Sequence, residues 1–203
     1  MIFETAAFFA AIFFSIIVHE IAHGYTALAF GDCTARDHKR LSLNPLVHID
    51  PFGTILLPIV LHIAGLAPFG WARPVPVNPN NFRDIRKGLI CVGLSGPMAN
   101  IALAILFSLL AHAQLFMSSV NYFLDQVALI NIFLAVFNLV PIPPLDGSRI
   151  VMPLLPKDAA IGYARIEPYG FFIIVALMYL GFFRIVLLPL ANMIAGFIGV
   201  RVF

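Results

Sequence analysis

The chain has 203 residues, 61% of them hydrophobic and 11% charged, with a mean hydropathy of +0.98. A soluble domain is about 45–50% apolar and ~25% charged, so this excess excludes an ordinary soluble fold. A formal net charge of +2 argues against a nucleic-acid partner, and the two distant cysteines, Cys33 and Cys91, match no ligand spacing.

The apolar residues fall in blocks: Ile2–Phe30, Thr54–Ala67, Gly88–Ala113, Val120–Val140 and Phe171–Val200. A helix needs about 20 residues to cross a ~30 Å hydrocarbon core. Blocks 2–30, 88–113, 120–140 and 171–200 are long enough, which predicts an all-α, polytopic helical bundle in one domain, 1–203. Block 54–67 is short and holds Pro58, His62 and Gly65, so it reads as re-entrant or as a short extended segment. The last block is interrupted by Arg184 and Pro189 and fits either one tilted helix or two short passes.

Charge orients the blocks. Basic residues collect in Gly31–Gly53, Pro68–Lys87 and Pro141–Gly170, whereas the link Gln114–Ser119 carries none. The positive-inside rule puts the basic segments in the cytoplasm and the bare link outside. That assignment is self-consistent only if 54–67 enters and leaves the bilayer on one side.

The first block holds His19-Glu20-Ile21-Ala22-His23. Ionisable groups in hydrocarbon are costly and are usually retained for a function. Histidines four apart on a helix point the same way, so both can bind one zinc ion, with Glu20 reaching its water as general base. His19 lies roughly 16 Å along the helix from Phe30 at ~1.5 Å per residue, so a polar cavity open to the cytoplasm is expected. A catalytic zinc has three protein ligands, and Asp146 is the candidate for the third. It follows Pro141-Ile142-Pro143-Pro144-Leu145, where the prolines force the fourth block open. Asn138 is a candidate donor to the oxyanion formed when water attacks a peptide carbonyl, or else a structural amide bonding loose backbone near Pro141. Pro74-Val75-Pro76 must be extended, and such an edge can pair with an unfolded substrate strand or be an ordinary surface loop.

These residues resemble the site-2 proteases, the M50 peptidases. The resemblance rests on His19–His23, on Leu43-Asn44-Pro45 with His48-Ile49-Asp50-Pro51, and on Gly70-Trp71-Ala72-Arg73-Pro74-Val75-Pro76. Ser95-Gly96-Pro97-Met98-Ala99-Asn100 and Asn138–Gly147 complete it, in the family's order. It implies an intramembrane zinc metalloprotease with a three-helix catalytic core, one zinc per chain and transmembrane protein substrates. By the same resemblance His19, His23 and Asp146 are ligands, Glu20 is the base, and Asn138 matches a polar residue near the active site. Gly96 and Asn100 match a structural motif on a neighbouring core helix. A minimal, prokaryotic form without PDZ or CBS domains is expected, in the cell membrane, with a homo-oligomer left open. The rival readings are a non-proteolytic scaffold or transporter with a structural metal, and a membrane zinc hydrolase acting on a small molecule or prenylated peptide.

Overall fold

The computed structural model describes residues 2–63, 65 and 70–200, with side chains from Ala6 onward. It is 76% helical, with no strand among the described residues. Helix α1 (Ile2–Ala29) ends at Gly31, whose φ of +108° suits glycine. A short helix, α2 (Thr34–Asp37), follows. Asn44 then caps the single turn Pro45–His48. His48 is fully buried there and bonds the Ser42 carbonyl, ordering this loop.

Asp50 starts the next excursion by accepting from the backbone of Phe52 and Gly53. A wide turn, Pro51–Leu56, runs into α3 (Leu57–Ile63). Thirteen helical residues reach only ~20 Å, too short to cross. The two sides of the excursion are stitched together: Trp71 N–H donates to the Gly53 carbonyl at 3.2 Å and Arg73 N–H to the His48 carbonyl at 2.8 Å. The chain therefore leaves and returns at one place. Residues 64 and 66–67 of the expected 54–67 segment lie outside the described residues.

Helix α4 (Ile85–His112) opens on Asp84, whose carboxylate accepts from the Lys87 amide. It turns back on itself as α5 (Ser118–Asn138). α5 stops where Pro141 lacks the N–H needed to continue it. After a cis Pro143–Pro144 bond, α6 (Asp146–Val151) begins. Then come α7 (Lys157–Ala164), α8 (Gly170–Tyr179) and α9 (Leu188–Ile198).

Four stretches are long and apolar enough to cross a membrane: Ala6–Ala29, Ile85–His112, Ser118–Asn138 and Lys157–Tyr179. The chain is an integral membrane protein. The final block forms two helical pieces, with α8 in the first and α9 in the second. Gly170 sits against the Pro143 carbonyl at one end of the bundle, and the Ile198 carbonyl accepts from Ser108, near His112, at the other. The break falls at Gly181 (φ +86°) rather than at Arg184 or Pro189. Pro189 lies just beyond the wide helical turn Phe183–Leu187, which runs into α9.

Because lipid is as apolar as leucine, helix contacts in a membrane come from close packing of small residues. Ala104 of α4, Ala128 of α5 and Ala191 and Ala195 of α9 are buried in this way, around Ile132 and Leu187. α1 packs antiparallel on α4, with His19 beside Gly96 and Phe30 beside Phe82. The C-terminal ends of α1 and α5 and the N-terminal end of α4 thus share one end of the bundle, and the three basic segments gather there.

Candidate metal centre

α1 carries His19 and His23 one turn apart on its buried face, 6% and 3% exposed. α4 makes room for them. A Cβ built on Gly96 would stand 2.5 Å from the His19 ring and 2.6 Å from the His23 ring. Only glycine leaves space for both imidazoles against this helix.

Asp146 arrives from the other side, at the first position of α6. The neighbouring Gly147 is required by a close approach, since a Cβ there would lie 2.2 Å from the Leu139 carbonyl oxygen. This contact folds α6 back under the end of α5. Asp146 Oδ2 comes within 3.0 Å of His19 Nε2 and 3.1 Å of His23 Nε2. The two Nε2 atoms are 3.0 Å apart. Arg149, one turn on, stands 3.7 Å from Asp146 Oδ1.

The protonation pattern points the lone pairs inward. His23 Nδ1 is 2.7 Å from the Val92 carbonyl, which can only accept. That nitrogen therefore carries the proton and Nε2 is the bare one. His19 Nδ1 is 2.5 Å from Asn100 Oδ1 and is a donor in the same way. Asp146 Oδ2 is buried and accepts no hydrogen bond. Three buried, electron-rich atoms thus converge to about 3 Å, an arrangement that calls for a cation among them. Two imidazoles and a carboxylate are the donor set of a catalytic zinc, whose tetrahedral edge is ~3.4 Å. The residues fit such an ion.

Glu20 is half-buried beside this group, and its Oε2 accepts from the Val75 amide at 2.8 Å. Pro74, Val75 and Pro76 form an extended run across α1. Asp32 holds its far end through the Asn78 amide, at 2.7 Å. Arg40 holds its near end by donating to the Arg73 and Pro74 carbonyls at 2.9 and 3.2 Å. The Arg40 guanidinium also donates to the Val47 carbonyl.

The structure brings together His19, Glu20, His23, Asp146 and Val75. Asn138, the candidate oxyanion donor, gives one of its amide hydrogens to the Leu134 carbonyl one turn back, at 2.9 Å. Such back-bonding is a common outlet for a polar side chain near the end of a helix. Asn100 and Asn131 are the amides at the centre. Asn131 went unremarked in the sequence, although a fully buried amide within a membrane span is itself a signal.

Comparison with known proteins agrees with this geometry. The model of peptidase family M50 matches residues 109–181. The chain is 38% identical over 187 residues to "Putative zinc metalloprotease YwhC" of Bacillus subtilis, covering 88% of this chain and 82% of that one. It is 33% identical over 172 residues to "Putative zinc metalloprotease Rip2" of Mycolicibacterium smegmatis, covering 81% of this chain and 63% of that one. "Zinc metalloprotease MJ0392" of Methanocaldococcus jannaschii is 29% identical over 79% of this chain and 37% of its own length. No solved structure gives a significant match. With a buried His-His-Asp group at the meeting of its helices and this degree of likeness to zinc metalloproteases, the chain belongs to peptidase family M50, the site-2 protease family, and is a zinc metalloprotease.

Proposed function

We propose that the protein hydrolyses peptide bonds within or near transmembrane segments of other membrane proteins, using one zinc per chain held by His19, His23 and Asp146. The observation that carries this is the convergence of three buried ligand atoms beside a half-buried carboxylate, Glu20, that accepts from the Val75 amide of an extended run. A zinc ion held by these residues would supply a Lewis acid for the peptide carbonyl and would lower the pKa of a water molecule to about 7. Glu20 would then serve as the base that accepts a proton from the attacking water and delivers it to the leaving amine. The Val75 amide holds the carboxylate in position, and the extended run Pro74–Pro76 offers a rail for a substrate strand.

A polypeptide rather than a small molecule is favoured by the surroundings. An apolar cavity of about 590 Å³ lies between α1, the Gly53–Trp71 junction, α5 and α8. Ile16, in its wall, is one turn from Glu20 on the same helix, so an apolar segment seated there would reach the reacting groups. The basic end of the bundle carries the site's loops, which supports an active site open to the cytoplasm. The whole chain then acts as a single catalytic domain in a prokaryotic cell membrane.

Glu20→Gln in reconstituted vesicles tests the reading. Cleavage of a transmembrane substrate should be lost while about one zinc per chain is retained. Undiminished cleavage would sink it. A structural-metal scaffold predicts no cleavage by the parent protein either.

A further inference from the structure

Three helices meet at one row of buried polar groups that the reaction itself does not consume. Asn131 of α5 and Asn100 of α4 are both fully buried, as is Ser15 of α1. Asn131 Nδ2 donates to the Val127 carbonyl and to Ser15 Oγ, both at 2.9 Å. Asn100 Nδ2 donates to Asn131 Oδ1 at 2.9 Å, and Asn100 Oδ1 faces His19 Nδ1 at 2.5 Å.

The direction of this row is fixed by its far end. The Val127 carbonyl only accepts, so Asn131 must turn its NH2 towards it. Ser15 gives its own hydroxyl hydrogen to the Ala11 carbonyl at 2.9 Å, so it too accepts from Asn131. The Asn131 oxygen is thereby left facing Asn100, which must answer with its NH2. The Asn100 oxygen is then left facing His19, whose Nδ1 must carry the proton. Reversing any one amide would set two acceptors or two donors against each other in a dry interior, at a cost of ~1–3 kcal/mol per unsatisfied group.

We infer that Asn100 and Asn131 are positioning residues that set the tautomer and ring orientation of His19, so that its Nε2 lone pair faces the metal. His23 needs no such relay, because the Val92 carbonyl does the same for it directly. His19 has no backbone acceptor at its Nδ1, and two amides carry the polarity of the Val127 carbonyl across the bundle instead. Partners behind a ligand typically contribute 10–100-fold to metal affinity. The inference rests on the reading of His19 as a zinc ligand.

The test is a double-mutant cycle on purified protein, with zinc or cobalt affinity measured by chelator competition and the cobalt absorption spectrum recorded beside it. Asn100→Ala and Asn131→Ala should each weaken the metal by about 10–100-fold. The double variant should be little worse than Asn100→Ala alone, because Asn131 acts only through Asn100. Losses that multiply, or affinity and spectrum unchanged while thermal stability falls, would reduce the pair to a structural role and overturn the inference. A measurement on unmutated protein covers variants that fail to fold. Nitrogen-15 NMR of labelled, zinc-loaded protein should find the proton of His19 on Nδ1 and the metal on Nε2, and a metal-bound Nδ1 would overturn the relay. If the parent protein binds neither metal, it is the ligand assignment that fails.

Discussion

The ligand atoms are held by what surrounds them as much as by their own helices. Gly96 shows how narrow the tolerance is. A methyl group there would overlap both imidazoles, each anchored through its Nδ1 and unable to swing away. Gly96→Ala should lower zinc affinity by at least about 100-fold, the upper end of what ligand surroundings contribute. Equilibrium dialysis against zinc checks it, with circular dichroism to confirm that the helices persist. Val75 gives a milder probe at the same scale. Val75→Pro deletes the amide that donates to Glu20 while keeping an extended backbone. A hydrogen bond to a charged group is worth ~1.5–3 kcal/mol, so kcat/KM should fall at least about tenfold with zinc content unchanged.

Among the elements, the extended run is the one that owes least to its own hydrogen bonds. It has no partner strand among the described residues, and Asp32, Glu20 and Arg40 tie it down. Asp32 is buried; burial opposes its charge, but bonds from Thr34, Asn78 and Asn81 outweigh that and hold its carboxyl below the usual value of 3.8. Those bonds exist only in the folded chain, so the unfolded state takes up the proton first. The stability they confer is therefore fully present above pH ~4 and is lost as pH falls through the lowered folded value. Asp32→Asn should be less stable than the parent at pH 7, and the gap should narrow as pH drops below ~4. Thermal unfolding in detergent across that range measures it; a gap independent of pH would mean that the charge contributes nothing.

At the scale of the whole molecule the arrangement is asymmetric. One end carries the basic loops, the paired Gly53–Trp71 junction and the metal group. The other carries the uncharged link between α4 and α5 and the last turn of α9. In a background lacking Cys33 and Cys91, Ser119→Cys should react with an impermeant thiol reagent on intact cells, and Asn80→Cys only after permeabilisation. The reverse pattern would turn the active site outward.

The pair His19 and His23, with Glu20 beside them, could be read from the sequence because helical spacing is local and needs no partner. So could the long helices, since bilayer thickness sets their length. Asp146 was within reach because the prolines before it mark where a helix must end. Helical spacing could not reveal that Asn100 stands behind His19, because that depends on how α1 and α4 pack. Nor could local pattern locate the break at Gly181, where a charged residue and a proline nearby gave the louder signals. The union of His19 with Asn100 and Asn131 spans three helices. It exists only once small residues let those helices close, and only then does a buried carbonyl on α5 decide which nitrogen on α1 faces the metal.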